Sequence, residues 1–396
     1  VQPPDGNHLE ESGGDGGMIK RTLQELCLNI TDGKHGDCEN EENSGYYFIS
    51  CKDIFDGQIN YKNARQITKA DFEETHKRTM LEVDDILLTN SGTIGRMAFV
   101  TDREATTKTT FQKSVAIIKP DKQKVLPRYL YYQLQNCVPQ FINSSNGSAQ
   151  KNLLLSTMRT FQIEIEENCE KQEKIANTLS AYDDLIENNQ KQIKLLEEAA
   201  QRLYKEWFVD LRFPGHENTK IVDGVPEGWS RGLLKELISV NYGKDHKKAP
   251  DDGNIPVYGS GGLMRKCNKS LFSGEAVLIP RKGSLNNIMY VDETFWTVDT
   301  MFYATMKQPH TAIFVYFFVK AFDMYSMNIG AAVPSMTTKI LDAMDVVIPD
   351  KETLEKFDKL TKTYFNKIKT LQGQNERLKI ARDLLLPKLM SGEVEV

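Results

Sequence analysis

Two short stretches hold residue types that recognise hydrogen-bonding edges. Arg281-Lys282-Gly283-Ser284-Leu285-Asn286-Asn287 follows the apolar run Val277-Leu278-Ile279-Pro280 and is polar and basic. A guanidinium donates in a fork that fits guanine, and a carboxamide offers the donor and acceptor that fit adenine, so these types suit a major groove. The second stretch, Thr89-Asn90-Ser91-Gly92-Thr93-Ile94-Gly95-Arg96, follows Leu87-Leu88 and is the less basic of the two. Candidate contacts are Thr89, Ser91, Thr93 and Arg96 in that stretch, and Arg281, Lys282, Ser284 and Asn286 in the other. The competing reading of each is a tight β-turn that needs glycine for its backbone alone.

Further candidates sit in loops early in each half. Asp32-Gly33-Lys34-His35-Gly36 and Gly243-Lys244-Asp245-His246-Lys247-Lys248 are glycine-bearing and basic. Lys34, His35, Lys244, His246, Lys247 and Lys248 could neutralise phosphates, or could simply be solvated turns. Asn146, Ser148, Gln150 and Lys151 could read bases or bind phosphate, and could equally mark a helix start. One fragment resembles a metal-dependent nuclease pattern, Pro120-Asp121-Lys122-Gln123-Lys124, but it lacks the second acid beside its last lysine. Neither an Asn-Pro-Pro-aromatic methyl-transfer motif nor a G-x-x-x-x-G-K-[S/T] phosphate loop is present. Tyr46, Tyr47, Tyr258 and Tyr303 read as half-buried strand aromatics.

The elements that must position these loops come in repeated order. Tyr46–Cys51, Asp85–Thr89, Met97–Val100 and Ser114–Lys119 read as strands, and Arg128–Phe141 as a short helix. Then the period changes. Ile175, Leu179, Tyr182, Ile186, Asn189, Ile193, Leu196, Ala200, Leu203 and Trp207 follow a strict 4-3 spacing. This predicts one helix over 170–208, roughly 58 Å long at 1.5 Å per residue. The second half repeats the series with strands at Ala276–Pro280, Ile288–Val291 and Met301–Thr305 and a helix at Ile313–Phe322. A second seam closes it: Leu360, Tyr364, Ile368, Leu371, Asn375, Leu378, Arg382, Leu385 and Leu389. A heptad helix cannot bury its seam alone, so the two helices are expected to pack antiparallel on each other, or else each on another chain. Asn189 and Asn375 are seam polar residues of the kind that set register. The outer positions Lys191, Lys194, Glu197, Glu198, Arg202 and Lys379 read as a solvated face or an interface for partner subunits.

Composition bounds the class. At 396 residues the chain has material for two to three domains, and 40% hydrophobic residues suit a globular protein. No apolar run reaches the ~20 residues of a membrane span. Six scattered cysteines without a C-x-x-C pair predict a reduced, cytoplasmic protein with neither a disulfide framework nor a zinc site. The net charge of −5 weighs mildly against nucleic acid as a partner. The acidic opening stretch, residues 1–17, carries four of those acids and no lysine or arginine, and reads as a disordered tail without a leader pattern.

With these residues in view the chain resembles the specificity (S) subunit of type I restriction-modification systems. The resemblance rests on Ser91-Gly92-Thr93-Ile94-Gly95, Asn146-Gly147-Ser148-Ala149-Gln150-Lys151-Asn152-Leu153, Lys171-Gln172-Glu173-Lys174-Ile175-Ala176, Trp207-Phe208-Val209-Asp210 and Val225-Pro226-Glu227-Gly228-Trp229. It covers about residues 19–396. The second half departs from it at Gly330-Ala331-Ala332-Val333-Pro334-Ser335, which lacks the Gln-Lys-Asn of the first. The resemblance implies an α/β fold with two similar target-recognition domains alternating with two long helices packed as an antiparallel coiled coil, pseudo-two-fold. Its boundaries would be recognition domains at 18–165 and 211–350 and helices at 166–210 and 351–396. Each domain would read one half of a bipartite, gapped target in double-stranded DNA. The helices would dock two methyltransferase (modification) subunits, with restriction/translocase subunits joining them. The chain itself would be non-catalytic and without a cofactor, S-adenosylmethionine, ATP and magnesium belonging to the partners. A two-headed nuclease using Asp121 and a helical scaffold without a DNA role are the alternatives.

Overall fold

The computed structural model describes residues 17–145, 151–327 and 335–396. Contacts cluster into two compact units, Val1–Glu187 with Asn375–Val396, and Asn188–Gln374. Each long helix therefore lends one part of its length to each unit.

Unit 1 begins with β1 (Met18–Thr22) and β2 (Cys27–Asp32), followed by β3 (Tyr47–Ile49), β4 (Ile54–Phe55), β5 (Gln58–Ile59) and β6 (Arg65–Gln66). Helix α1 (Lys69–Thr79) is capped by Thr68, whose hydroxyl accepts the Asp71 N–H, and stops at Met80 in the left-handed region. Next come β7 (Ile86–Thr89), β8 (Met97–Phe99), β9 (Thr109–Phe111) and β10 (Val115–Pro120). Helices α2 (Pro127–Asn136), α3 (Val138–Asn143) and α4 (Leu155–Thr160), strand β11 (Gln162–Glu166) and helix α5 (Cys169–Tyr204) complete the series. An antiparallel sheet in the order β2-β10-β7-β8 carries the core, and β3 runs parallel to β9 with β6 on its other side. Strand β1 pairs antiparallel with β11, so the first strand lies beside the one that leads into α5.

Unit 2 repeats this plan. A small hairpin of β12 (Ile221–Val222) and β13 (Val225–Pro226) precedes β14 (Ser230–Leu233), β15 (Ile238–Tyr242), β16 (Ile255–Gly259), β17 (Gly262–Cys267), β18 (Phe272–Pro280), β19 (Met289–Thr297) and β20 (Met301–Met306). Helices α6 (Ala312–Lys320) and α7 (Thr338–Asp342), strand β21 (Asp345–Ile348) and helix α8 (Lys351–Met390) follow. The sheet order β15-β20-β18-β19 matches β2-β10-β7-β8 strand for strand, and β14 pairs with β21 as β1 does with β11. Strand β16 is parallel to β19 and antiparallel to β17, as β3 is to β9 and β6.

Both helices are positioned by caps and by apolar seams. Asn168 accepts the N–H groups of Glu170 and Lys171 at the start of α5. Asp350 accepts the Thr353 N–H and hydroxyl at the start of α8, and the Trp229 indole N–H at 2.9 Å. Burial works against the charge of Asp350, but these bonds outweigh it and hold its carboxyl below the ordinary range. In unit 1, Ile175 and Leu179 of α5 share a core with Leu386, Leu389 and Met390 of α8. Asp183 accepts the Tyr132 hydroxyl and pairs with Arg382. In unit 2, Ala200 and Tyr204 of α5 and Trp207 share a core with Leu354 and Phe357 of α8. The early part of one helix thus meets the late part of the other in each unit, which is antiparallel pairing.

The structure alters several sequence expectations. The helix expected over Arg128–Phe141 is two helices. Pro139 has no N–H to give the preceding turn, so the chain breaks at Cys137. The first long helix is α-helical only to Tyr204; Lys205–Val209 forms a π turn closed by the Asp210 N–H on the Lys205 carbonyl. Leu360 is 46% exposed and leaves the second seam, whereas Phe357 and Thr361 are fully buried and begin it. The seam spacing then runs 357, 361, 364, 368 onward without a gap. Strands β1, β2 and β9 and helix α1 had no counterpart in the sequence reading. Of the stretch read as an acidic tail, residues 1–16 lie outside the described residues. No helix among the described residues is long and apolar enough to cross a membrane.

Candidate nucleic-acid interface

The candidate loops sit on a scaffold of backbone hydrogen bonds that the two modules share one for one. The Gly33 N–H donates to the Val115 carbonyl, and the Gly243 N–H to that of Met301. The Lys34 N–H donates to Phe111, and that of Lys244 to Thr297; Gln112 donates to Ile49, and Val298 to Tyr258. The Asn90 N–H donates to Ser114, and that of Arg281 to Thr300. The Asn90 carbonyl accepts from Leu153, and that of Arg281 from Met336. Lys34 and Lys244 are therefore true counterparts, as are Asn90 and Arg281. His35 then corresponds to Asp245, one residue before His246, so the two histidines occupy neighbouring rather than equivalent positions.

Glycine explains two of these junctions. At Gly33 an added Cβ would overlap the Phe111 carbonyl, and at Gly243 the Val298 carbonyl, so the chains cross too closely for any side chain. Gly92 and Gly283 both hold left-handed turns, φ +78° and +81°, which bears out the backbone reading of those two residues.

In unit 1 the loops meet at a cleft of about 680 Å³. Its walls include His35, Arg78, Ser91, Lys113 and Asn152, with Asp32 and Asn90 buried at its floor. The His35 imidazole lies 2.9 Å from the Asp32 carboxylate, which also pairs with Arg78. Ser91 is bridged to Asn152, and Lys151 beside it is exposed. Lys34 turns away from the cleft's open groups, with its ammonium on Asp71 and Glu74 of α1 at 3.1 and 3.3 Å. The hydrogen bond to Asp71 raises its pKa above the ordinary lysine value. Thr89 is fully buried, and its hydroxyl accepts the Arg96 N–H at 2.9 Å. Its side chain braces the turn and presents nothing to a base, because it points into the core. Thr93 and the Arg96 side chain are exposed, with Arg96 reaching the Cys51 carbonyl. Asn146, Ser148 and Gln150 lie outside the described residues.

In unit 2, Arg281 is braced. Its guanidinium carbon lies 4.9 Å from the Tyr242 ring and 5.1 Å from that of Phe302, and Nη1 donates to the Asp299 carbonyl at 2.8 Å. Lys282 and Ser284 are exposed. Asn286 spends both ends of its carboxamide within the protein, donating to Asp323 and accepting from the Met324 N–H. Asn286 therefore pins the loop, and the bond it gives Asp323 lowers that carboxyl's pKa. His246–Lys248 form a 3-10 turn, and Arg265 donates to the carbonyls of His246 and of Ala249 just after it. Lys244, Lys247 and Lys248 are exposed, and His246 is half-buried.

Arg78, Lys113, Asn90, Tyr242 and Arg265 were missing from the sequence-derived set. Only Asn90 had a signal, its place inside the Thr89–Arg96 motif; the others join the site through pairing across the fold. Asp121 accepts the Gln123 N–H and pairs with Lys124, which is the bonding of a turn. The four tyrosines are half-buried as expected.

A doubled α/β module with polar loops at one end of each sheet, each copy tied to the same two helices, defines a class of paired recognition modules. The chain belongs to the type I restriction-modification specificity subunits: the model of the type I restriction modification DNA specificity domain matches residues 19–198 and again 226–379. It is 27% identical to the type I restriction enzyme MjaIX specificity subunit of Methanocaldococcus jannaschii, over 88% of this chain and 87% of that one. The type I restriction enzyme HindI specificity subunit of Haemophilus influenzae is 23% identical over 70% of this chain and 80% of its own. The fold is similar to the crystal structure of a type I S subunit from M. genitalium, with a TM-score of 0.58, 18% identity, and 96% and 98% of the two chains covered.

Proposed function

We propose that this chain is the sequence-specific DNA-binding subunit of a type I restriction-modification complex in the cytoplasm, each module reading one half of a bipartite, gapped target. The observation that carries this reading is the shared scaffold: five corresponding backbone bonds hold loops whose side chains differ between the modules. An invariant frame with variable polar loops is what independent reading of two unlike half-sites requires. Exposed Lys, Ser and Thr side chains on these loops suit phosphate positioning and base contact.

The helices are read as the docking site for two modification subunits, which recruit restriction/translocase subunits. Their exposed apolar side chains support this: Leu185 and Leu195 on α5, and Ile380 and Leu384 on α8, are 45% to 65% exposed. The chain would do no chemistry and hold no cofactor, leaving S-adenosylmethionine, ATP and magnesium to its partners. The test is genome-wide mapping of methylated adenine in cells carrying this chain and its methyltransferase partner. A single gapped, non-palindromic motif that vanishes on deletion of this chain is expected. Methylation unchanged by the deletion, with the partner active, would refute the reading.

A further inference from the structure

The geometry points to one position per module as the selector of a base, Asn90 in the first and its counterpart Arg281 in the second. The inference rests on the proposed DNA-reading role and assigns it to a residue. Six buried side-chain polar atoms lack a hydrogen-bond partner among the described residues, and two of them are Asn90 Oδ1 and Arg281 Nε. Two of six falling on one position of a repeated module is not what scattered packing defects would produce. A buried polar atom without a partner is costly, and the cost is relieved when a ligand supplies the missing hydrogen bond.

Both residues are also held for such a role. The backbone of each is tethered on both sides, by its N–H to one loop and its carbonyl to another, so the side chain starts from a fixed point. Asn90 is 4% exposed at the floor of the 680 Å³ cleft, whose walls also carry Lys113 and the Asp32-paired Arg78 and His35. Arg281 has its guanidinium plane fixed against Tyr242 and Phe302. The frame is the same and the hydrogen-bonding character is not. A carboxamide accepts and donates, matching adenine N6 and N7, whereas a guanidinium only donates, matching guanine O6 and N7. The two half-sites therefore differ at the base this position meets, adenine for the first module and guanine for the second.

The experiment uses the full chain, co-purified with its modification subunits, to select from a library of randomised duplex DNA. Asn90→Asp removes the donor and keeps the acceptors, so preference moves from adenine to cytosine at one position of one half-site. Arg281→Gln moves guanine to adenine at one position of the other. Each change is expected to alter the base ratio roughly 5- to 150-fold, the discrimination of one good bidentate pair, with the other half-site untouched. If the wild-type complex selects a bipartite motif and both variants select the same motif, the assignment is wrong while the DNA-reading role stands. If the wild-type complex selects no motif, the role itself fails and takes the assignment with it. Should either variant not assemble, Asn90→Ser and Arg281→Lys replace it, and an unchanged motif there overturns the assignment equally.

Discussion

The two modules share a frame and differ in what surrounds it. Between β2 and β7, the first two strands of its large sheet in chain order, module 1 inserts α1, which supplies Asp71, Glu74 and Arg78. The two acids take the charge of Lys34, and Arg78 joins Asp32 below the cleft. Module 2 fills the same interval with the β16–β17 hairpin, which supplies Arg265 and gathers the carbonyls of the 246–249 turn. Its lysines are left outward: Lys244, Lys247, Lys248 and Lys282 are exposed and make no ion pair among the described residues. One frame thus holds a cleft with internal charge pairing in one copy and an open cationic rim in the other. On the proposed DNA-reading role, the difference teaches that phosphate attraction need not be split equally between the halves.

The largest break in the comparison is expected from the helix anchors. Phe357 is fully buried and packs against Trp207 and Phe208 at 5.8 and 4.8 Å between ring centres. Truncation to alanine should cost about 3–5 kcal/mol, the range for a buried aromatic. Leu360→Ala, three residues on and exposed, should cost under about 0.5 kcal/mol. Denaturant titration of both variants checks the seam register directly, since equal costs would restore Leu360 to it.

Next come the chain crossings. Gly33→Ala and Gly243→Ala should each destabilise by about 3 kcal/mol, because the new methyl meets backbone and not a movable side chain. Equal losses would support equivalence of the two crossings. A loss in only one would show that the modules differ in their frame as well as in their loops. Thermal melts of the two variants read this.

The charge difference predicts an unequal salt dependence. Replacing Lys244, Lys247 and Lys248 by alanine together should lower the slope of log affinity against log salt by about 3, near one per lost phosphate contact. Lys34→Ala should leave the slope unchanged, since its ammonium is already paired with α1. Binding of the assembled complex to a fixed duplex across a salt series distinguishes the two. An equal effect of Lys34 would remove the distinction drawn between the rims.

Much of the frame was legible in the sequence because it is written in local patterns. The 4-3 spacing of Ile175 to Trp207 and of Tyr364 to Leu389 located both helices, and apolar runs located β7, β10, β18 and β20. Short, mixed strands such as β1 and β11 are stabilised by pairing across 140 residues or more, which no local window contains. Leu360 was misplaced because a heptad can be started one position off when Phe357 and Thr361 also fit the spacing. For the site, the motif around Gly92 and Gly283 was visible, whereas the roles within it were not. Nothing local distinguishes Thr89, which props its turn from inside, from Ser91, which lines the cleft. The part of Arg78 follows from a helix packing across the loop, and that is a tertiary fact.

The smallest expected effect separates the modules by pH. Asp85 at the start of β7 is buried, and burial pushes its carboxyl up to about 6 despite the Lys119 ammonium 2.8 Å away. The equivalent pair in module 2 is Ala276 opposite Thr305, which cannot titrate. The unfolded carboxyl titrates near 3.9, so between about pH 4 and 6 the folded form of Asp85 binds the proton more tightly than the unfolded. Its contribution to stability is full below about pH 4 and is lost as pH rises through about 6, a change of about 2–3 kcal/mol. Asp85→Asn should remove that slope, so the variant gains on the wild type between pH 4 and pH 7. Lys119 keeps the Met80 carbonyl at 2.7 Å and Glu82 at 3.1 Å, so its ammonium is not stranded by the change. Melting of both proteins at several pH values tests it. If the wild-type slope survives in the variant, the pH response lies elsewhere, and the Asp85–Lys119 pair is a charge bridge that module 1 can ionise without cost.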